Sequence, residues 1–223
     1  MNFTKMVVTA LTLGVALFVY MYGASRHSGG TVTLTPPAAK LTSLPQVAKW
    51  LGEENGLDAR PYSTYDFGRG HDEANLSVVV PMEQAEAMLD VARDAIAPPV
   101  LAFIGCGDWF GVQQTGGVEL VFGEGMDQFD ILRMARSDAI NYNMETEDLI
   151  TKLKEYDERF GIDITHAVTD TIIFRLKHMP EDMTGFANDL YKFCPDIVDQ
   201  GTQTVGALAT EIRGSRTAFL WWD

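Results

Sequence analysis

Thr146 to Leu176 reads TEDLITKLKEYDERFGIDITHAVTDTIIFRL, and its two halves follow different periods. In the first half Leu149, Ile150, Leu153, Tyr156 and Phe160 fall on one face of a 3.6-residue repeat. Asp148/Lys152 and Glu155/Arg159 each place an acid four residues before a base, which supports an exposed helical face. Gly161 is the expected stop. Beyond it, Ile162–Ala167 and Thr171–Leu176 are runs too short for helices, and Thr169-Asp170 between them reads as a turn. A helix followed by a tight hairpin belongs to an α+β fold. In a doubly wound parallel sheet, a helix would separate consecutive strands.

The flanking sequence extends this pattern. Leu76–Val80, Val100–Ile104, Val118–Phe122 and Asp130–Ala135 are expected as strands, and Thr217–Trp222 as a closing strand. Helices are expected over Pro45–Asn55, Pro81–Ile96, Pro180–Phe193 and Thr204–Arg213. Pro81 and Pro180 stand at first helical positions, where a missing N–H costs nothing. Arg60–Asn75 is turn-rich and shows no clear period. The fold class expected is α+β, a mixed, largely antiparallel sheet packed with helices and preceded by an N-terminal hydrophobic helix.

That last element is Met6–Gly23, MVVTALTLGVALFVYMYG, an uncharged run between Lys5 and Arg26. As a helix it would rise about 27 Å, close to the hydrocarbon thickness of a bilayer. Residues 1–27 therefore read as a membrane anchor or signal segment, with Gly23-Ala24-Ser25 as a cleavage site in the second case. Residues 28–44, rich in Gly, Ser, Thr and Pro, read as a flexible tether. Residues 45–126 form the N-terminal part of the body and residues 127–223 a C-terminal domain. The expected location is a single-pass membrane protein with its body outside the cytoplasm, or a secreted or periplasmic protein after signal cleavage.

The chain of 223 residues has 17 Lys and Arg against 31 Asp and Glu, a formal net charge of −14. Residues 1–30 hold Lys5 and Arg26 and no acid, so the acidity belongs to the body. Such a surface repels phosphate backbones, so no nucleic acid is expected as a partner. A basic protein or peptide fits the sign of the charge.

Chemistry-bearing motifs are sparse. Gly105-Cys106-Gly107-Asp108-Trp109-Phe110-Gly111 has GxGxxxG spacing and no following helix, so it reads as a hairpin loop and not a nucleotide loop. Cys106 and Cys194 are the thiols, and outside a reducing compartment they could pair as a disulfide. His71, His166 and His178 are the imidazoles that could partner a thiol. Asp127/Asp130, Asp196/Asp199 and His166/Asp170 bring acids or imidazole close in sequence without any calcium-loop or HExxH pattern. Asn2-Phe3-Thr4 and Asn75-Leu76-Ser77 match glycosylation sequons. No cofactor or metal is expected.

The informative constellation lies near the end of the chain. Tyr191 to Gly201, YKFCPDIVDQG, joins two expected helices, and Leu220-Trp221-Trp222-Asp223 follows the closing strand. Adjacent tryptophans on a strand point to opposite faces, so one packs inward. Cys194, Asp196, Asp199, Gln200, Trp221, Trp222 and Asp223 form the candidate binding corner, with His166 and Asp170 as secondary candidates. The corner reads either as core with an aromatic closing strand or as a tryptophan-lined groove.

At these residues the chain resembles a bacterial family named domain of unknown function 4253. Members end with a helix leading into a Tyr/Phe-Cys-Pro-Asp tract, then a Gln-Gly pair, then Trp-Trp-Asp. Here these match Phe193-Cys194-Pro195-Asp196, Gln200-Gly201 and Trp221-Trp222-Asp223. Tyr156–Leu176 resembles the family's helix–Gly–hairpin segment, with Asp170 as its central aspartate. The resemblance covers about Asp127 to Asp223 and departs from the family at Ala139-Ile140-Asn141-Tyr142-Asn143, where many members carry Trp and Gly. It implies a domain without implying a reaction, and it implies that the motif residues belong to one shared feature. The functional expectation is a membrane-tethered, non-enzymatic protein- or peptide-binding module with an acidic surface. The alternatives are a hydrolase or metal-dependent enzyme using Cys194, Asp196, His166 or Asp170, and a structural envelope component.

Overall fold

The computed structural model describes residues 33–62, 72–107 and 117–223. Its strands are β1 (Arg60–Tyr62), β2 (Asp72–Pro81), β3 (Val100–Gly107), β4 (Gly117–Glu124), β5 (Ile162–Ala167), β6 (Thr171–Leu176) and β7 (Thr217–Trp221). They form one sheet in the order β1-β2-β4-β3-β5-β6-β7. Every neighbouring pair is antiparallel except β3–β5, which is parallel and has Ile104 opposite His166 as its register pair. The fold is α+β around a mixed, largely antiparallel sheet.

The helices divide between the two faces. On one face α1 (Leu44–Lys49), a π-helical turn (Trp50–Glu54) and α2 (Ala85–Ala95) cover β2, β4 and β3. Val47, Trp50, Leu89 and Ala92 meet Val78, Val80, Ile104, Leu120 and Phe122 there. On the other face lie α3 (Asp130–Ala135), α4 (Thr146–Phe160), α5 (Met183–Phe193) and α6 (Val205–Ser215). Their larger core joins Leu149, Leu153, Tyr156, Phe186 and Leu190 to Ile164, Phe174, Ala218 and Leu220, and reaches across to Phe103 and Val121. Alternation along each strand assigns successive side chains to the two cores.

The helix–Gly–hairpin segment folds as its periods dictate. The first turn of α4 is closed by a capping box between Glu145 and Asp148. Gly161 takes a positive φ of 60° at its end, and any Cβ there would crowd the Lys177 side chain. One other expectation needs correction. Asp130–Ala135 is a helix and not a strand. Its short apolar run fits either structure, and the Asp130 carboxylate accepts from the Met126 amide at 2.6 Å, folding the preceding loop back against the start of the helix. Within Arg60–Asn75, β1 and the start of β2 are regular structure, paired through a register shift between Pro61 and Tyr62. Sheet partners set those strands where local composition gave no signal.

The membrane readings are corrected as well. No helix among the described residues is long and apolar enough to cross a membrane. The run over 6–23 lies outside the described residues, as do His71, the Asn2 sequon and Asp108 to Gly111. The preceding hydrophobic helix, the membrane partner and the single-pass or secreted location therefore have no support in the described structure. The membrane-tethered reading of the function falls with them.

Candidate functional site

The corner is built where α5 runs out. The amide of Cys194 still reaches the Leu190 carbonyl at 2.7 Å, but Pro195 has no N–H with which to continue the helix. The chain turns through a π-helical segment, Ile197–Thr202, and α6 then carries it to β7. This turn sets the completely buried Cys194 against the outer edge of β7.

Trp222 donates its amide to Asp170 and Leu176 donates to Arg216. With the β6–β7 register, these bonds aim the main-chain groups of Thr217, Phe219 and Trp221 away from β6. At Trp221 the Cys194 thiol meets them. Its Sγ–H donates to the carbonyl at 2.9 Å, and its sulfur lies 3.3 Å from the amide nitrogen, which donates to it. At Thr217 the Ser215 hydroxyl accepts the amide at 3.1 Å, and its single O–H is shared between the Glu211 carbonyl at 3.0 Å and the Thr217 carbonyl at 3.2 Å. Both ends of an edge that would otherwise pair with another strand are occupied by side chains.

Asp196 organises the rest. Its Oδ2 accepts from the Tyr142 hydroxyl at 2.8 Å and from the Asp223 amide at 2.9 Å, while Oδ1 accepts from Gln200 Nε2 at 2.9 Å. The residue is only 5% exposed. Burial pushes its carboxyl up, but the Asp223 amide, Gln200 and Tyr142 outweigh it and hold the group below the usual carboxylate range. The bond to Asp196, and then burial, push the Tyr142 phenol up to about 12. Burial likewise pushes the Cys194 thiol up to about 12, against the backbone amides of Trp221 and Ile197. That thiol is protonated at neutral pH and is a poor nucleophile.

The two tryptophans part as strand geometry requires. Trp222 is buried, stacks edge-on against Phe193 at 5.4 Å and donates its indole N–H to the Phe193 carbonyl at 3.2 Å. Trp221 is half-buried on the other face of the strand. Asp199 stands apart from the Asp196 network and accepts from the Tyr191 hydroxyl at 2.8 Å. Thus Cys194, Asp196, Gln200, Trp221, Trp222 and Asp223 come together as the sequence grouped them, and Asp199 sits at the rim. Tyr142, which sequence reasoning missed, is 54 residues from Asp196 in the chain. It lies in the tract where the family resemblance breaks, and no local pattern marks it.

The secondary candidates separate. Asp170 reaches the corner only through its main-chain carbonyl. Burial raises its carboxyl pKa, as do Asp223 and Asp138 nearby, while the Thr171 hydroxyl bonds it at 2.9 Å. His166 lies on the opposite sheet face among α2 side chains. Burial, then Arg175 and Arg93, lower it to about 3, so the ring is neutral and its 3.4 Å approach to Glu86 is no ion pair. Thr165 Oγ1 sits 2.9 Å from the same nitrogen, Nδ1. A nucleophile–base–acid relay needs its two partners on opposite ring nitrogens, and Thr165 is fully buried.

The hydrolase and metal-enzyme alternatives are corrected by this geometry. Cys194 and His166 belong to different faces of the sheet. Among the described residues no three His, Cys, Asp or Glu side chains converge as a metal site. Cys106 and Cys194 form no disulfide.

Comparison with known proteins adds one finding. Residues 120–223 match the family model described as domain of unknown function (DUF4253). The match begins inside β4 and contains every member of the corner. No curated protein and no solved structure matches the chain.

Proposed function

We propose that the Cys-Pro-Asp, Gln-Gly and Trp-Trp-Asp residues act as a structural latch, and that this chain is a non-catalytic domain whose final strand and tail the latch holds. The observation that carries this reading is the Asp196 carboxylate, which takes donors from three separate places: Tyr142 before α4, Gln200 in the π-helical turn and Asp223 after β7. A carboxylate kept ionised by three converging donors is suited to fixing parts of a chain. It has little basicity left for proton transfer. The buried thiol belongs to the same device, because it occupies the polar edge of Trp221 and leaves the strand no open end there.

Asp196→Asn and Tyr142→Phe, separately and together, test the latch. In Asp196→Asn an amide N–H₂ faces a donor, and thermal unfolding should show a loss of about 1.5–3 kcal/mol. Tyr142→Phe should lose about 1 kcal/mol. The double variant should lose less than the sum, because the two residues share a bond. Wild-type stability in both single variants would defeat the reading and return the corner to a ligand-binding role.

A further inference from the structure

The parallel seam between β3 and β5 is closed in an unusual way. Its register pair joins Ile104, midway along β3, to His166, near the carboxyl end of β5. Toward their amino ends, two side chains take the place of a ladder. Gln128 donates its amide N–H to the Ile162 carbonyl at 3.2 Å and accepts the Ile164 amide at 3.0 Å. A residue in a parallel strand makes the same pair of bonds, one to each neighbour of the residue opposite it. The side-chain amide thus imitates one residue of a strand. Arg93, from α2, donates Nε–H to the Ala102 carbonyl of β3 at 3.0 Å and a second N–H to the Ile164 carbonyl of β5. Ala102 and Ile164 are the two residues that the Ile104–His166 register would place opposite each other. The same guanidinium pairs with Asp163 at 2.6 Å.

The surrounding charges reinforce this placement. Arg175 of β6 pairs with Asp90 at 2.9 Å and with Glu86, both on α2. Helix α2 belongs to the core over β2, β4 and β3, so each of these bonds crosses the seam.

We infer that the β3–β5 seam is the conformational joint of the molecule, held by Gln128 and Arg93 where main-chain pairing is confined to the Ile104–His166 register pair. Side-chain ties open without unfolding either flanking sheet, and local opening concentrates where the main-chain ladder is thin. β1-β2-β4-β3 and β5-β6-β7 keep their own antiparallel ladders when the joint opens.

Native-state amide exchange on the full chain tests this. In the wild type the Ile164 amide, bonded to Gln128, should exchange at least about tenfold faster than the Leu120 amide of β4, by opening short of global unfolding. Gln128→Ala and Arg93→Met should each speed exchange in Ile162–His166 by a further factor of about ten, with β2–β4 and β6–β7 unchanged. The milder Gln128→Glu, which removes only the donor to Ile162, covers the case in which the others fail to fold. The inference falls if Ile164 and Leu120 exchange at one common rate, or if the substitutions speed all strands equally or none.

Discussion

Asp196 and Asp170 sit on either side of Trp222 and are perturbed in opposite directions. Asp196 is held below the usual carboxylate range by its donors, so its contribution to stability is present above the ordinary carboxyl pKa. That contribution is lost as the pH falls through the lowered value. Asp170 is raised by burial and by Asp223 and Asp138, so its contribution is present at low pH and is lost as the pH rises through the raised value. Asp170→Asn should therefore raise the melting temperature at pH 7 and leave it unchanged at a pH below the carboxylate range. Melting curves across pH 3 to 8 check the sign, and a loss at pH 7 would show that the charge itself holds the turn. Tyr156 supplies a second test at this scale. It is fully buried among Phe174, Phe186 and Phe193, and its hydroxyl has no hydrogen-bond partner among the described residues. Burial first and Asp189 second push its phenol far up. Tyr156→Phe should be neutral or stabilising by up to about 1 kcal/mol. A measured loss of that size would reveal a bond to Asp189.

At the scale of single elements, the legible parts were those with a strong period and a clear stop. Helix α4 and the β5–β6 hairpin have the bounds that the sequence predicts, because five apolar positions, two acid–base pairs four apart and Gly161 agree with one another. The glycine is the testable part of that agreement. Its φ of 60° is costly for any other residue, and the Lys177 stem crowds a Cβ from 3.1 Å. Gly161→Ala should cost about 1–3 kcal/mol in chemical denaturation, and an unchanged midpoint would show that the turn relaxes freely. Asp130–Ala135 was illegible for the opposite reason. Six residues with four apolar side chains satisfy both periods, and the deciding contact is between Asp130 and amides outside the run. The edge of β7 was hidden similarly, since nothing local says that Cys194 and Ser215 will occupy its ends. Cys194→Ala strips both partners from Trp221 and should cost about 1–3 kcal/mol.

For the whole molecule, strand order decides what can stand alone. The grouping of Cys194, Asp196, Gln200 and the tryptophans was legible because family resemblance ties them together. Tyr142 and the partner of β5 were not, because both depend on sheet order, which a single sequence does not encode locally. The consequence lies in the match over residues 120–223. It begins in β4, yet β4 does not touch β5; β3 lies between them and falls outside the match. A chain cut to that segment keeps the latch, α3 to α6 and the β5–β6–β7 ladder. It loses β3, Arg93 and the Phe103 side chain that reaches the larger core. β5 would become an edge strand of alternating apolar residues, with Gln128 covering the Ile162 carbonyl and the Ile164 amide and nothing replacing β3 beside the rest, and β4 would have no neighbour. Such an edge recruits other chains. Residues 120–223 alone should therefore associate or stay partly folded, with poorly dispersed amide resonances. Adding residues 33–119 as a separate chain should restore dispersion by returning β3 to its place. A monomeric, well-dispersed 120–223 segment would mean that β4 can move beside β5 and that the matched region carries its own complete sheet.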